Sequence, residues 1–177
     1  FSLEDLTADQ ISLFKKRTYD MLFCSQGRLQ VYFNGVALNT KDNTAYMRLY
    51  LAGLEPDADE DETVLAYTCP HPRWQIGACM SPNFVFQQVS FVNGINTSRG
   101  GRHVDYVVKL ITAKMVAYIK KHNKVDVKES FIKDNLMVFV NSIIVNPSFD
   151  SQTKETLTTN MRDFGSKIDE LPESFIE

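Results

Sequence analysis

The segment LMVFVNSIIV, residues 136–145, restricts the fold of this chain more than any other segment. Its residues are apolar at consecutive positions instead of alternating with polar ones. This pattern is typical of a strand that is buried on both faces, whereas a strand at a surface has one polar face. We therefore expect residues 136–145 to form a central, fully buried strand.

Apolar residues recur at helical spacing elsewhere. The capping-box pattern TADQ at residues 7–10 predicts the start of a first helix, which we expect to end before Ser25-Gln26-Gly27. Residues 43–54 predict a short helix with Tyr46, Leu49, Tyr50 and Leu54 on one side, and residues 103–122 predict a helix with one apolar stripe over roughly four turns. Residues 64–69, 74–80 and 84–95 are rich in strand-forming residues, and Asn34-Gly35 predicts a hairpin turn. The order of elements favours an α+β sandwich, one sheet with helices on one face.

Composition limits the classes of function. The chain has 177 residues, a net charge of −3 and three cysteines, which fits one large or two small globular domains with reduced thiols in an intracellular protein. Because the chain as a whole is slightly acidic, contact with nucleic acid requires a local basic patch. No apolar run approaches the ~20 residues of a membrane span.

The sequence contains few candidate catalytic or metal-binding groups. Cys69, His71 and Cys79 superficially suggest zinc, but no paired-cysteine motif accompanies them and they fall on predicted strands, so we interpret the cysteines as core or half-exposed thiols. No serine or cysteine has an evident base beside it. The acidic residues at 57–62 predict a solvated loop.

Two basic or glycine-rich segments allow two interpretations each. Gly100-Gly101 precedes the long helix and either leaves amides free to bind an anion or forms a tight strand-to-helix turn, and we favour the turn. Lys120, Lys121 and Lys124 end the same helix. They either contact phosphates or stabilise the helix C-terminus electrostatically.

Lys154 lies in the polar segment SFDSQTKETL, residues 148–157, which directly follows the buried strand. A lysine in a loop is usually solvated. A loop at the end of a rigid strand can also hold an ammonium at a fixed point, where it binds a phosphate. The residue types do not decide between these interpretations.

Two long motifs carry a family resemblance. SFVNGINTSRGGRHVDYV at 90–107 and NPSFDSQTKE at 146–155 resemble the transducer domain of eukaryotic type IIA DNA topoisomerases (topoisomerase II). RTYDML near the start, DFGS at 163–166 and LPESFI near the end occur in the order of that family. Bacterial gyrase B subunits share a looser form of the first motif. The resemblance covers essentially the whole chain.

The resemblance implies a fold and a domain division. The fold is like the second domain of ribosomal protein S5, a mixed sheet with helices on one face and a left-handed βαβ crossover. Residues 1–26 correspond to the C-terminal helix of a GHKL ATPase domain, and residues 27–177 correspond to the transducer. The ATP-binding motifs of the GHKL domain and the DNA-cleavage core are absent from the sequence, so we expect this fragment alone to be inactive.

The resemblance also implies functional residues. Gln152 and Lys154 are expected to contact ATP, and Lys154 is expected to stabilise charge on the γ-phosphate during hydrolysis. Lys120, Lys121 and Lys124 are expected to contact double-stranded DNA. In the intact enzyme, ATP and Mg²⁺ are expected to bind mainly to the GHKL domain.

The expected partners are DNA, the GHKL domain and cleavage core of the same polypeptide, and a second subunit in a homodimer. The expected location is the nucleus, unless the protein is an organellar paralogue. The alternative function is a stand-alone S5-like module that binds nucleic acid or protein without ATPase activity, and a related GHKL machine of the mismatch-repair or chaperone type is the weakest possibility.

Overall fold

The computed structural model describes residues 5–38, 42–54 and 64–176. The predicted acidic loop at 57–62 lies outside these residues. The helices and strands, in chain order, are α1 (Ala8–Cys24), β1 (Val31–Phe33), β2 (Val36–Leu38), α2 (Asn43–Leu54), β3 (Leu65–His71), β4 (Trp74–Met80), β5 (Gln87–Val92), β6 (Ile95–Asn96), α3 (Arg102–Asn123), α4 (Glu129–Asp134) and β7 (Leu136–Ser142). Single 3₁₀ turns follow at Met161–Asp163 and Glu173–Phe175.

The main sheet has five strands in the order β3-β4-β7-β5-β6. Strand β7 is the middle strand, antiparallel to β4 and parallel to β5, and all seven of its residues are buried. The prediction of a central buried strand is therefore confirmed, although it ends at Ser142 instead of residue 145. The segment predicted as one strand at 84–95 begins pairing at Gln87 and turns back at Asn93-Gly94 into β6.

Helices α3 and α4 cover one face of the sheet. Side chains at alternate positions of β4 and β7 point to this face, among them Trp74, Ile76, Val138 and Val140. The facing stripe of α3 is Val104, Val107, Val108 and Ile111, as the helical spacing predicts. Because α3 and α4 lie in the connection between the parallel strands β5 and β7, they form the βαβ unit that the resemblance implies. The left hand of that crossover stays a prediction.

Helices α1 and α2 pack on the opposite face. Phe23 of α1 and Met47 of α2 are buried against Phe91 and Phe139, and Met47 occupies the space beside Gly77. The α+β class with a mixed sheet is thus confirmed, while the expectation of helices on one face describes α3 and α4 only.

The residues that the spacing places on one side of α2 are not equally buried. Tyr46, Met47 and Leu51 are buried, whereas Leu49 and Leu54 are 49% and 40% exposed. In a helix of twelve residues with apolar side chains on several faces, the spacing alone does not select which face meets the sheet.

The N-terminal elements are confirmed by their local chemistry. Thr7 caps α1, with the Thr7 hydroxyl accepting from the Gln10 amide and the Gln10 side chain accepting from the Thr7 amide. Asn34 and Gly35 both have positive φ angles, 49° and 78°, as the tight turn between β1 and β2 requires.

Candidate nucleotide-contacting loop and basic helix end

The segment after β7 forms a closed loop, here called the QTK loop (residues 148–157). Phe149 and Leu157 form an antiparallel bridge at its neck, and the Thr158 amide donates to the Ser148 carbonyl at 2.9 Å. The Leu157 side chain is only 1% exposed and belongs to the core beneath α3. The base of the loop is therefore tied to the folded body of the protein.

The tip of the QTK loop is a tight turn that projects into solvent. The Lys154 amide donates to the Ser151 carbonyl at 3.1 Å, and the Ser151 and Thr153 hydroxyls lie 2.8 Å apart. Lys154 has a φ of 59°, a left-handed conformation that is uncommon for a residue with a side chain. Gln152 and Lys154 are both exposed. The two predicted nucleotide-contacting residues therefore share one exposed turn.

The ammonium of Lys154 is not neutralised by a carboxylate. Within the described residues no salt bridge includes it, and its Nζ lies 5.8 Å from the centre of the Phe149 ring. The neighbouring acid, Asp150, is also exposed, but its carboxylate accepts from the Thr156 amide at 3.2 Å. Hydrogen bonding to Thr156 holds the pKa of Asp150 below its ordinary value. Lys154 thus presents an exposed, uncompensated positive charge.

The Gly100-Gly101 pair is a strand-to-helix turn. The amides of Val104 and Asp105 donate to the Gly101 carbonyl, and the Arg102 amide donates to the Leu157 carbonyl at 3.1 Å. These amides are already used within the protein, so the favoured interpretation as a structural turn fits the geometry better than an anion site.

The basic end of α3 is partly self-neutralised. Lys120 forms a 2.9 Å salt bridge with Asp126, which raises the Lys120 pKa. Lys124 ends the helix at a φ of 58°, and its Nζ donates to the Lys121 carbonyl at 2.8 Å. The ammonium of Lys121 forms no salt bridge within the described residues. The three lysines therefore lie together and exposed, as predicted, but they differ in how freely each can contact a phosphate.

The three cysteines lie in different surroundings. No group of three or more potential metal ligands occurs among the described residues. Cys79 is buried, and desolvation raises its pKa to about 11. His71 accepts a 3.0 Å hydrogen bond from the Arg73 amide at Nδ1. Cys24 is half-buried and Cys69 is exposed, so the interpretation as core or half-exposed thiols fits Cys79 and Cys24 but not Cys69.

A buried polar chain under the Gly100-Gly101 turn was not found from the sequence. The Ser90 and Thr97 hydroxyl oxygens are 2.5 Å apart, and Thr97 Oγ1 lies 3.1 Å from His103 Nε2. All three residues are fully buried, and desolvation lowers the pKa of His103 to about 3. The sequence carries little signal for it, because Ser90, Thr97 and His103 lie among other polar residues of the segment 90–107.

Comparison with known proteins decides the family. The family model described as DNA gyrase B matches residues 49–170. The chain belongs to the DNA gyrase B family. This match spans β3 to β7, the QTK loop and most of the C-terminal segment.

Within this family the chain is homologous to the N-terminal ATPase region of eukaryotic DNA topoisomerase 2. It is 42% identical to DNA topoisomerase 2 of Arabidopsis thaliana over 100% of the chain and 12% of that protein. It is 37% identical to the Saccharomyces cerevisiae enzyme over 99% of the chain and 13% of that protein. The chain therefore spans about an eighth of the length of these relatives.

Solved structures show the same fold. The ATPase and transducer domains of DNA topoisomerase II from Balamuthia mandrillaris match with a TM-score of 0.80 and 38% identity, over 99% of this chain and 42% of that one. The ATPase region of Saccharomyces cerevisiae topoisomerase II matches with a TM-score of 0.80 and 37% identity, over 98% and 42% respectively. Among the helices described, none is long and apolar enough to cross a membrane.

Proposed function

We propose that this chain is the transducer part of an ATP-dependent type IIA DNA topoisomerase, and that it couples ATP binding and hydrolysis to N-gate closure and DNA strand passage. The observation that carries the proposal is the QTK loop. It holds Lys154 as an exposed cation without a carboxylate partner in the described chain, on a base anchored in the core by Leu157. Such a cation suits a phosphate supplied by a neighbouring domain.

The proposed chemistry needs only a point charge from this chain. An ammonium held near the γ-phosphate of ATP stabilises negative charge that increases during hydrolysis. Gln152 lies in the same exposed turn and adds a neutral hydrogen-bonding group. A bound γ-phosphate can also hold the tip of the QTK loop in one position. Loss of the γ-phosphate on hydrolysis then releases the tip.

The described residues suit the phosphate of Mg-ATP but not the Mg²⁺ ion. The exposed Lys154 fits a phosphate, whereas the described residues contain no cluster of carboxylates that could hold Mg²⁺. We therefore propose that Mg²⁺ and most of the nucleotide bind to a GHKL domain of the same polypeptide.

Helix α1 supports the proposed domain division, with residues 1–26 as the end of the GHKL domain and 27–177 as the transducer. The C-terminal part of α1 is buried on the sheet through Leu22 and Phe23. Near its start, Ile11 and Phe14 are 42% and 50% exposed, which suits a second domain packed against them. The DNA-cleavage core, a second subunit and a nuclear location belong to the same proposal.

We further propose that Lys120, Lys121 and Lys124 contact double-stranded DNA. Their support is their exposure at one helix end. A DNA phosphate competes with the Asp126 carboxylate for Lys120, so Lys121 is expected to contribute most in the absence of a rearrangement.

The test is ATP turnover by the intact enzyme with Lys154→Ala. We expect turnover to fall by roughly 10²-fold, because a charge-stabilising donor is lost. Lys167→Ala, another exposed lysine, is the control with the same change in charge and should keep normal turnover. Wild-type turnover by the Lys154 variant would refute the proposed role.

A further inference from the structure

The turn at Gly100-Gly101 is joined to the QTK loop by backbone hydrogen bonds. The Leu157 amide donates to the Gly100 carbonyl at 3.0 Å, and Gly101 and Leu157 pair as residues in parallel strands do. The Arg99 amide donates to the Glu155 carbonyl at 3.0 Å. Two points on the returning arm of the loop are thus held by the segment that begins α3.

Gly101 is required for this approach. A Cβ at this position would lie 2.5 Å from the Leu157 amide nitrogen and would also overlap the Leu157 carbonyl. The obstacle is backbone, so it cannot move aside as a flexible side chain does. The φ of Gly101 is 124°, a conformation that residues with side chains rarely adopt. No other residue therefore fits without displacing the arm.

Leu157 is the point at which three segments meet. It pairs with Gly101 on one side and with Phe149 on the other, and its side chain is buried in the core. Lys154 lies three residues before Leu157, so the chain allows at most about 10 Å between their Cα atoms. The position of the Lys154 backbone is consequently set by the Leu157 anchor and by the turn at the tip.

We propose that Gly101 is a positioning residue for Lys154: by admitting the Leu157 backbone to hydrogen-bonding distance, it fixes the arm that carries the lysine. This inference rests on the proposed contact between Lys154 and the nucleotide. Gly101 touches no substrate and acts only through the geometry of the loop. A phosphate-binding ammonium that is misplaced by a small distance loses most of its effect on the reacting group.

The test measures two properties of the intact enzyme carrying Gly101→Ala. The first is steady-state ATP hydrolysis, for which we expect kcat to fall by about tenfold or more while KM for ATP stays within about twofold. The second is hydrogen exchange of the amides at 153–157, which should become faster. Gly94→Ala is the matched control. Gly94 also has a positive φ, 79°, but a Cβ there meets no atom within 4 Å, so turnover and loop exchange should stay normal.

A second variant covers the case in which Gly101→Ala does not fold. Leu157→Ala leaves the glycines unchanged and removes the buried anchor, so it should also accelerate exchange at 153–157 and lower kcat. The inference is overturned if either folded variant keeps wild-type exchange in the loop, or if exchange rises while kcat does not change. Lys154→Ala separates the two proposals: if that variant hydrolyses ATP normally, the proposed function fails, while the exchange measurement still decides whether Gly101 fixes the loop.

Discussion

The Tyr46 hydroxyl on α2 donates a 2.7 Å hydrogen bond to the Asp20 carboxylate on α1, and both residues are buried. Asp20 also accepts from the Lys16 ammonium at 2.8 Å. The bond is a polar link between the two helices on the second face of the sheet. It compensates a carboxylate that would otherwise be buried at considerable cost.

The first prediction concerns this link. Tyr46→Phe should lower the free energy of unfolding by about 1–3 kcal/mol, because a hydrogen bond to a charged group is lost. Tyr50→Phe is the matched control. Its hydroxyl lies 3.5 Å from the same carboxylate oxygen, so the change should be small. Urea unfolding measures the free energy of unfolding of both variants. Equal decreases would show that the 2.7 Å hydrogen bond of Tyr46 contributes no more than the longer contact of Tyr50.

The second prediction concerns β7. Phe139→Asp should prevent folding, since Phe139 is fully buried and an unpaired carboxylate there has no partner. Ile143→Asp tests the same apolar run just beyond the strand, where the side chain is 44% exposed, and it should cost about 1 kcal/mol or less. The measurement is the yield of soluble protein with a cooperative thermal transition. A cooperatively melting Phe139 variant would contradict the position of β7 in the core.

The third prediction is a dependence of stability on pH through His103. Burial lowers its pKa from 6.5 to about 3, so the folded state holds the neutral ring while the unfolded chain takes up a proton below pH 6.5. Stability from this group is therefore complete above pH 6.5 and decreases on acidification, by about 1.4 kcal/mol per pH unit, down to about pH 3.

The variant His103→Gln isolates that contribution. Glutamine reaches a similar position to the ring Nε2 but does not titrate, so unfolding free energy measured between pH 7 and 5 should decrease less steeply than in the wild type. Parallel curves for His103→Gln and wild type would show that another group causes the acid sensitivity.

The fourth prediction concerns DNA. Lys121→Ala should weaken DNA binding by the intact enzyme more than Lys120→Ala, because Lys120 is paired with Asp126. Replacing Lys120, Lys121 and Lys124 together should reduce DNA stimulation of ATP hydrolysis and spare basal hydrolysis. The dependence of DNA affinity on salt should also become weaker, by up to about one unit of slope for each phosphate that no longer binds a lysine. Unchanged stimulation at low salt would remove these lysines from the DNA interface.

The sequence predicts the elements whose burial is encoded locally. Residues 136–142 are apolar on both faces, so their central position followed from the pattern alone. The spacing placed Tyr46, Leu49 and Leu54 on one side of α2 but did not predict their burial, because helical spacing does not state which apolar side a distant sheet will cover. Tertiary packing decided that choice.

The sequence likewise indicates only a part of the candidate site. Lys154 was identified through a motif; it lies in an exposed turn, and its contact with a nucleotide stays a prediction. The pairing of Gly101 with Leu157 was not predictable, because the two residues are 56 positions apart and interact through backbone atoms. A glycine in the sequence suggests that another group approaches the backbone closely, but the sequence does not identify that group.

The order of strands in the sheet has a consequence for the kinetics of folding. Strands β3 and β4 form a hairpin, as do β5 and β6, yet the two hairpins join only through β7, which lies between them. The pairing of Gln87 with Met137 closes a segment of about 50 residues, and such non-local contacts form slowly. During synthesis, therefore, the two hairpins emerge from the ribosome as separate units. They become one sheet only after residue 142 has left the exit tunnel.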